Sequence, residues 1–192
     1  MSKKKVLVTG FSQFEGCDIN PTESIVNSLK AEKFNIDGFD LSYEIVEVSI
    51  GGAELVNRLD YNVFIHIGVN TKGNKLQLEQ YSYNNCTFRV PDQSGNQPSG
   101  ECINKELDFD KACESGLDVS LILSELKNQV TNPEDVEISN DPGRFLCNYI
   151  YFKALQCSSK SIFVHIPPFE VCNETIQIDN IKKLIAILLE QC

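Results

Sequence analysis

Basic residues are scarce in this sequence. Lys and Arg number 17 against 27 Asp and Glu, giving a formal net charge of −10. The only basic cluster is Lys3, Lys4 and Lys5. The positive stripe expected of a nucleic-acid binder is therefore missing, and nucleic acid is not expected as a partner. Long hydrophobic runs are missing as well. The longest near the C-terminus, residues 184–189, is far below the ~20 residues that a membrane helix needs. Val6-Leu7-Val8, just after the lysines, is too short for the apolar core of a secretory signal, so a soluble, cytoplasmic protein with no membrane partner is expected. None of the eight cysteines stands in a C-x-x-C pair, which removes the zinc-ribbon and thioredoxin-type signatures. Without a secretory signal the thiols are expected to be mostly reduced. Tryptophan is absent, the single Met is the first residue, and there are only two histidines. No internal repeat or low-complexity segment is present.

What is there fits one domain over residues 1–192. The chain is long enough for a real core, with 42% hydrophobic and 23% charged residues. Short β-branched runs alternate with helical periodicity. Residues 5–9, 43–50, 63–68, 136–138 and 161–166 read as strands. Residues 53–59, 119–130, 145–155 and 178–190 read as helices, and a further helix starts at Pro21 with Asn20 as N-cap. Residues 76–89 read as extended with a hairpin at Asn84-Asn85, and residues 91–100 as a polar surface loop. This alternation predicts an α/β fold with a mostly parallel central sheet, mixed because of the hairpin. Ligands collect beyond the carboxyl ends of such strands, so the residues that follow strands carry the interest.

Cys147 stands where a strand–loop segment opens a helix. A thiol in the first turn feels the positive end of the helix and its unpaired N–H groups, which favour the thiolate and can also hold an oxyanion. A thiol nucleophile needs a base. His66 and His165 both lie late in apolar strands, and spacing alone does not choose between them. Glu79 can orient such a base, although by itself it reads as a solvated strand charge. Arg89 reads either as a surface cation or as a cation near a reacting carbonyl. Phe11 and Phe14, in a loop after the first strand, read either as core or as walls of an apolar pocket.

Four segments, in order, resemble one family. Val6-Leu7-Val8-Thr9-Gly10-Phe11 with Phe14 and Asn20-Pro21 is similar to the N-terminal signature of pyroglutamyl-peptidase I. Leu78-Glu79, Arg89-Val90-Pro91-Asp92 and Gly95-Asn96-Gln97-Pro98 resemble its glutamate segment and following loop. Asp141-Pro142-Gly143-Arg144-Phe145-Leu146-Cys147-Asn148 resembles its cysteine segment, and Phe163-Val164-His165-Ile166-Pro167 its histidine segment. The resemblance implies a three-layer α/β/α sandwich and a cysteine peptidase that removes N-terminal pyroglutamyl residues from peptides through an acyl-enzyme. It implies Cys147 as nucleophile, His165 as general base and acid, and Glu79 as the orienting carboxylate. It places Arg89 near the oxyanion and Phe11, Phe14, Val90, Phe145 and Leu146 around the lactam ring. It implies no metal and no organic cofactor, and leaves the oligomeric state open.

Two segments depart from the family pattern. Val69-Asn70-Thr71-Lys72-Gly73-Asn74-Lys75 stands where many members carry a Gly-rich loop ending in Arg, and Glu47-Val48-Ser49-Ile50-Gly51-Gly52 is also unlike the common form. Readings in competition are a non-catalytic, lactam-binding descendant of the fold, a thiol redox sensor built on Cys147, and an amidase acting on another small lactam.

Overall fold

Continuous apolar runs, not alternation, mark the main strands of this chain, because helices cover both faces of the sheet. The computed structural model describes residues 3–14, 19–57 and 60–192. Its strands are β1 (Lys4–Phe11), β2 (Phe39–Val46), β3 (Val63–Val69), β4 (Leu76–Glu79), β5 (Tyr81–Tyr83), β6 (Cys86–Thr87), β7 (Ser99–Glu101), β8 (Ala112–Glu114), β9 (Val136–Ser139) and β10 (Ser161–Ile166). Its helices are α1 (Pro21–Ala31), α2 (Ile50–Val56), α3 (Val119–Lys127), α4 (Leu146–Cys157) and α5 (Glu174–Glu190). The main sheet runs β2-β1-β3-β10-β4-β9. All its pairings are parallel except that of β4 with β10.

Side chains alternate across β10 and decide what each face carries. Ile162, Val164 and Ile166 join the core beneath α1, α3 and α5, where Ile25, Leu29, Ile122, Leu126, Leu184 and Leu188 are fully buried. Phe163, with Leu7 and Phe64, joins the core beneath α2 and α4, where Ala53, Ile150 and Ala154 are fully buried. The result is a three-layer α/β/α sandwich with a mixed, mostly parallel sheet, as expected. Each fully buried aromatic such as Phe64 or Phe163 contributes about 2–3 kcal/mol through burial. Among the described residues, no helix is long and apolar enough to cross a membrane.

Asn20 caps α1 as expected, its side chain accepting from Thr22 N, with Pro21 in the first helical position. Other boundaries need correction. The sheet is mixed, but no hairpin turns at Asn84-Asn85. β4 instead lies between β10 and β9, while β5 pairs with β8 and β6 with β7. The Asn84 side chain donates to Asn104, Leu107 and Asp108 carbonyls and accepts from Asn104 N, so it ties down the following loop instead of making a tight turn. The second strand ends at Val46, and Ile50, expected in it, begins α2. Ser49 caps that helix by accepting from Gly52 N, which starts it three residues earlier than expected. Its expected end at Leu59 lies outside the described residues, as do Glu15 and Gly16 of the first loop. α5 starts at Glu174, before the apolar periodicity does, because Asn173 caps it by accepting from Ile176 N.

Candidate active site

β10 and β4 set the first two groups. Because β4 runs antiparallel to β10, Glu79 pairs with Phe163 and Gln77 with His165. Glu79 and His165 therefore stand one step apart on the same face. His165 Nδ1 lies 2.7 Å from Glu79 Oε1, with Glu79 1% and His165 8% exposed. The Tyr151 hydroxyl, reaching down from α4, donates to the Glu79 carbonyl at 2.9 Å and holds the end of β4 in place. Glu79 Oε2 is buried without a partner among the described residues.

α4 supplies the third group. Its N-cap, Phe145, makes no side-chain capping bond, and the first bond back to it comes from Tyr149 N. The N–H groups of Leu146, Cys147 and Asn148 thus have no intrahelical acceptor. Cys147, the second helical residue, is half-buried, and its sulfur lies near enough to the His165 ring to raise that ring's pKa. The approach is possible because β3 carries Gly68 there. A Cβ at Gly68 would sit 3.4 Å from Cys147 Sγ and 2.5 Å from the Phe163 ring. Upstream, Gly143 takes a φ of +81°, a left-handed conformation that favours glycine and turns the chain into α4. Asn148 fixes the other side, donating to Tyr83 and Asn85 carbonyls and accepting from Tyr83 N.

The two histidines have opposite electrostatics. Burial works to lower the His165 pKa, but the sulfur of Cys147 and the Glu79 carboxylate outweigh it and push it up to about 10. His66 is fully buried on β3 and its pKa is lowered by burial to about 3. Its Nδ1 lies 2.7 Å from Thr9 Oγ1 on β1, while Nε2 has no partner among the described residues. The structure thus puts His165, not His66, beside Cys147 and Glu79.

Beside Cys147 opens a cavity of about 100 Å³. Phe11, Phe14, Phe145 and Leu146 wall it, together with Asn20, Val48, Gly68 and Val69. Val90 lines a second cavity of about 390 Å³ with Pro91, Asp92 and Gln93, sharing Phe14, Val48 and Phe145 with the first. Arg89 lines neither cavity, is exposed, and makes no hydrogen bond or ion pair with the described residues. Phe145 packs on Phe88, ring centroids 4.4 Å apart, so the wall is stiffened from behind.

The loop after Val90 is pinned by its own side chains. Asp92 accepts from the N–H groups of Ile50, Ser94 and Asn96. Burial works against its charge, yet those bonds hold its carboxyl below the usual range. Gln93 exchanges two bonds with Val48 and donates to the Gln13 carbonyl. The departure segment around Val48 and Ile50 therefore docks onto this loop.

Sequence reasoning named Val48 and Val69 only within the two departure segments, did not single out Gly68, and took Asn20 as a cap and as part of the N-terminal signature. The signal for Gly68 was its place at the end of an apolar strand, where a ligand or backbone approaches closely. Nothing in the local pattern marks Val48. Another cavity, of about 270 Å³ near the start of α5, is lined by residues such as Asn132, Asn173 and Gln177 and holds none of these groups. Among the described residues, no three His, Cys, Asp or Glu side chains are gathered so as to hold a metal ion.

The family model described as pyroglutamyl peptidase matches residues 4–181. The chain is 31% identical to a pyrrolidone-carboxylate peptidase of Oceanobacillus iheyensis, over 85% of this chain and 84% of that one. It is 30% identical to the Fusobacterium nucleatum pyrrolidone-carboxylate peptidase, over 97% and 92%. In structure it resembles a mutant pyrrolidone carboxyl peptidase from Pyrococcus furiosus, with a TM-score of 0.87, 26% identity, and coverage of 97% of this chain and 99% of that one. The Thermococcus litoralis pyrrolidone carboxyl peptidase gives a TM-score of 0.85 at 26% identity, over 97% and 94%.

Proposed function

Because the chain belongs to the pyroglutamyl peptidase family, we propose that it is a cysteine peptidase that removes the pyroglutamyl residue from peptide N-termini through a Cys147–His165–Glu79 triad. The observation that carries this reading is the 2.7 Å hydrogen bond between Glu79 and His165, with the Cys147 sulfur acting on the same ring at the mouth of an aromatic cavity.

The cavity suits the substrate. Pyroglutamate is a flat, uncharged lactam with no free amine, so an anionic anchor of the kind that holds an amino terminus is of no use. A space of about 100 Å³ is roughly three water molecules' share at ~30 Å³ each, the size of one small ring. Phe11, Phe14 and Phe145 line it, and Val90 lines the adjoining cavity that shares Phe14, Val48 and Phe145 with it.

In the proposed reaction His165, oriented by Glu79, takes the Cys147 proton, and the sulfur attacks the pyroglutamyl carbonyl carbon. The oxyanion meets the unpaired N–H groups at the start of α4. Arg89, which no described residue holds, swings toward the same charge. His165 then gives its proton to the leaving amine, the C–N bond breaks and the shortened peptide departs. Water, deprotonated by His165, attacks the thioester and frees pyroglutamate and the thiol.

The test is release of a fluorescent amine from a pyroglutamyl-amide by the reduced protein and by Cys147→Ala. Turnover in the parent and none in the variant supports both substrate class and nucleophile. A folded parent with no turnover would move the assignment to a lactam-binding protein.

A further inference from the structure

Four strands of the main sheet place one residue each in a single row. Gly68 on β3 pairs with His165 on β10, His165 with Gln77 on β4, and Gln77 with Glu137 on β9. All four lie on the face that carries Cys147, since their neighbours Leu76, Leu78, Val136 and Ile166 belong to the core on the other face. The ring cavity lies over the β2-β1-β3 side of this row, walled by Phe11, Val48 and Gly68. A substrate whose ring sits there and whose carbonyl meets Cys147 must send its remaining residues the other way, over β10, β4 and β9.

That direction ends in a built polar surface. The Asn70 amide donates to Gln77 Oε1 at 3.2 Å, Gln77 Nε2 donates to Glu137 Oε1 at 2.9 Å, and Lys75 Nζ donates to Glu137 Oε2 at 2.9 Å. Lys75 and Glu137 remain partly exposed, with side chains 35% and 38% accessible. Neighbouring strands stand ~4.8 Å apart, so Glu137 lies ~10 Å from His165, and an extended chain advances ~3.3 Å per residue. The second residue after the ring, with a long side chain, reaches this pair.

We propose that the Lys75–Glu137 pair on the Gln77 row forms the subsite for the peptide beyond the scissile bond and selects basic over acidic side chains at the second position after pyroglutamate. The inference rests on the peptidase reading above. The sign follows from the surroundings: Glu134, Asp135 and Glu137 act on this corner against Lys75 and Lys127. The whole chain, at −10, adds to the same field.

The experiment compares kcat/KM for pyroglutamyl-alanyl-arginine amide and pyroglutamyl-alanyl-glutamate amide, with a pyroglutamyl fluorogenic amide alongside. The parent is expected to favour the arginine peptide about three- to tenfold at low salt, converging toward equality at about 1 M salt, where screening reaches ~3 Å. Glu137→Gln is expected to erase the preference and Lys75→Gln to widen it. Opposite movements of one ratio separate a charge-reading subsite from damage to the fold, which slows both peptides alike. A parent active on the fluorogenic amide whose ratio is the same in both variants, or favours the glutamate peptide, overturns the subsite alone. A parent inactive on the amide overturns the peptidase reading, and the subsite falls with it.

Discussion

His165 and Glu79 meet diagonally across the antiparallel pairing of β10 with β4. The register sets each opposite a different residue, yet Nδ1 and Oε1 are 2.7 Å apart. Glu79 thereby fixes the ring so that Nε2 faces α4, and its charge helps hold His165 up at about 10. Glu79→Gln keeps the shape and removes the charge. It is expected to lower kcat/KM by about 10²–10³-fold, less than Cys147→Ala, which should abolish turnover. The imidazolium is the acid for the leaving amine, so the parent rate should fall as pH rises through about 10, and this alkaline limb should move to lower pH in Glu79→Gln. A pH–rate profile checks both; an unmoved limb would remove Glu79 from its proposed role.

The two histidines should leave opposite marks on stability. His165 has a raised pKa, so its contribution is complete below about pH 6.5 and is lost as pH rises through about 10. His66 has a lowered pKa, so the unfolded chain takes up the proton first, and stability falls as pH drops from about 6.5 toward 3. The His66 effect amounts to roughly 4 kcal/mol across that window. His66→Ala should cost about 3 kcal/mol at neutral pH through its cavity and the orphaned Thr9 hydroxyl, with kcat little changed. His165→Ala should remove turnover with a smaller stability change. Denaturant unfolding across pH, with activity measured in parallel, separates the two.

The α/β alternation with a mostly parallel sheet could be read from the sequence because burial on both faces writes itself as apolar runs, as in Val6-Leu7-Val8 and Ile162-Phe163-Val164; the three-layer sandwich came from the family resemblance. Strand order could not be read, since nothing local says that β10 inserts between β3 and β4. For the same reason spacing could not choose between His66 and His165. Both sit in apolar strands, and only the register shows that His165 lies next to Gly68 and one step from Glu79. Val48 was invisible for a different reason. Its place at the cavity is made by Gln93 and Asp92, more than forty residues away. The family resemblance carried what local pattern could not, and it was silent where the chain departs from it.

Asp92 ties the Val90 wall to the departure segment. Asp92→Ala frees the N–H groups of Ile50, Ser94 and Asn96 together, so the loop should loosen without touching the sulfur. KM for a pyroglutamyl amide should rise about tenfold while kcat changes by less than about threefold, since positioning of the ring, not the chemistry, is weakened. The Asp92 carboxyl is held below its usual range, so its contribution is present above pH ~4 and is lost as pH falls through the folded value. KM should therefore climb at the acid end in the parent and be flat there in Asp92→Ala. An unchanged KM would mean that the loop does not shape the cavity.

Gly68 is the position where the smallest change should matter most. A Cβ there would lie 2.5 Å from the Phe163 ring, a distance the ring must relieve by moving. Phe163 cannot move alone, because its centroid is 4.8 Å from the His165 ring and 6.2 Å from that of Tyr151. Gly68→Ala is therefore expected to displace the base from the sulfur and to cut kcat about 10²-fold, with an overpacking cost of about 1–3 kcal/mol in stability. Shortening the clashing ring should relieve it: Phe163→Leu added to Gly68→Ala should recover stability and part of the rate, whereas Phe163→Leu alone should lower stability. Such a crossed pattern in a double-mutant cycle locates the damage in the Gly68–Phe163 contact. Additive losses would mean that Gly68 acts through the cavity wall and not through the ring beneath His165.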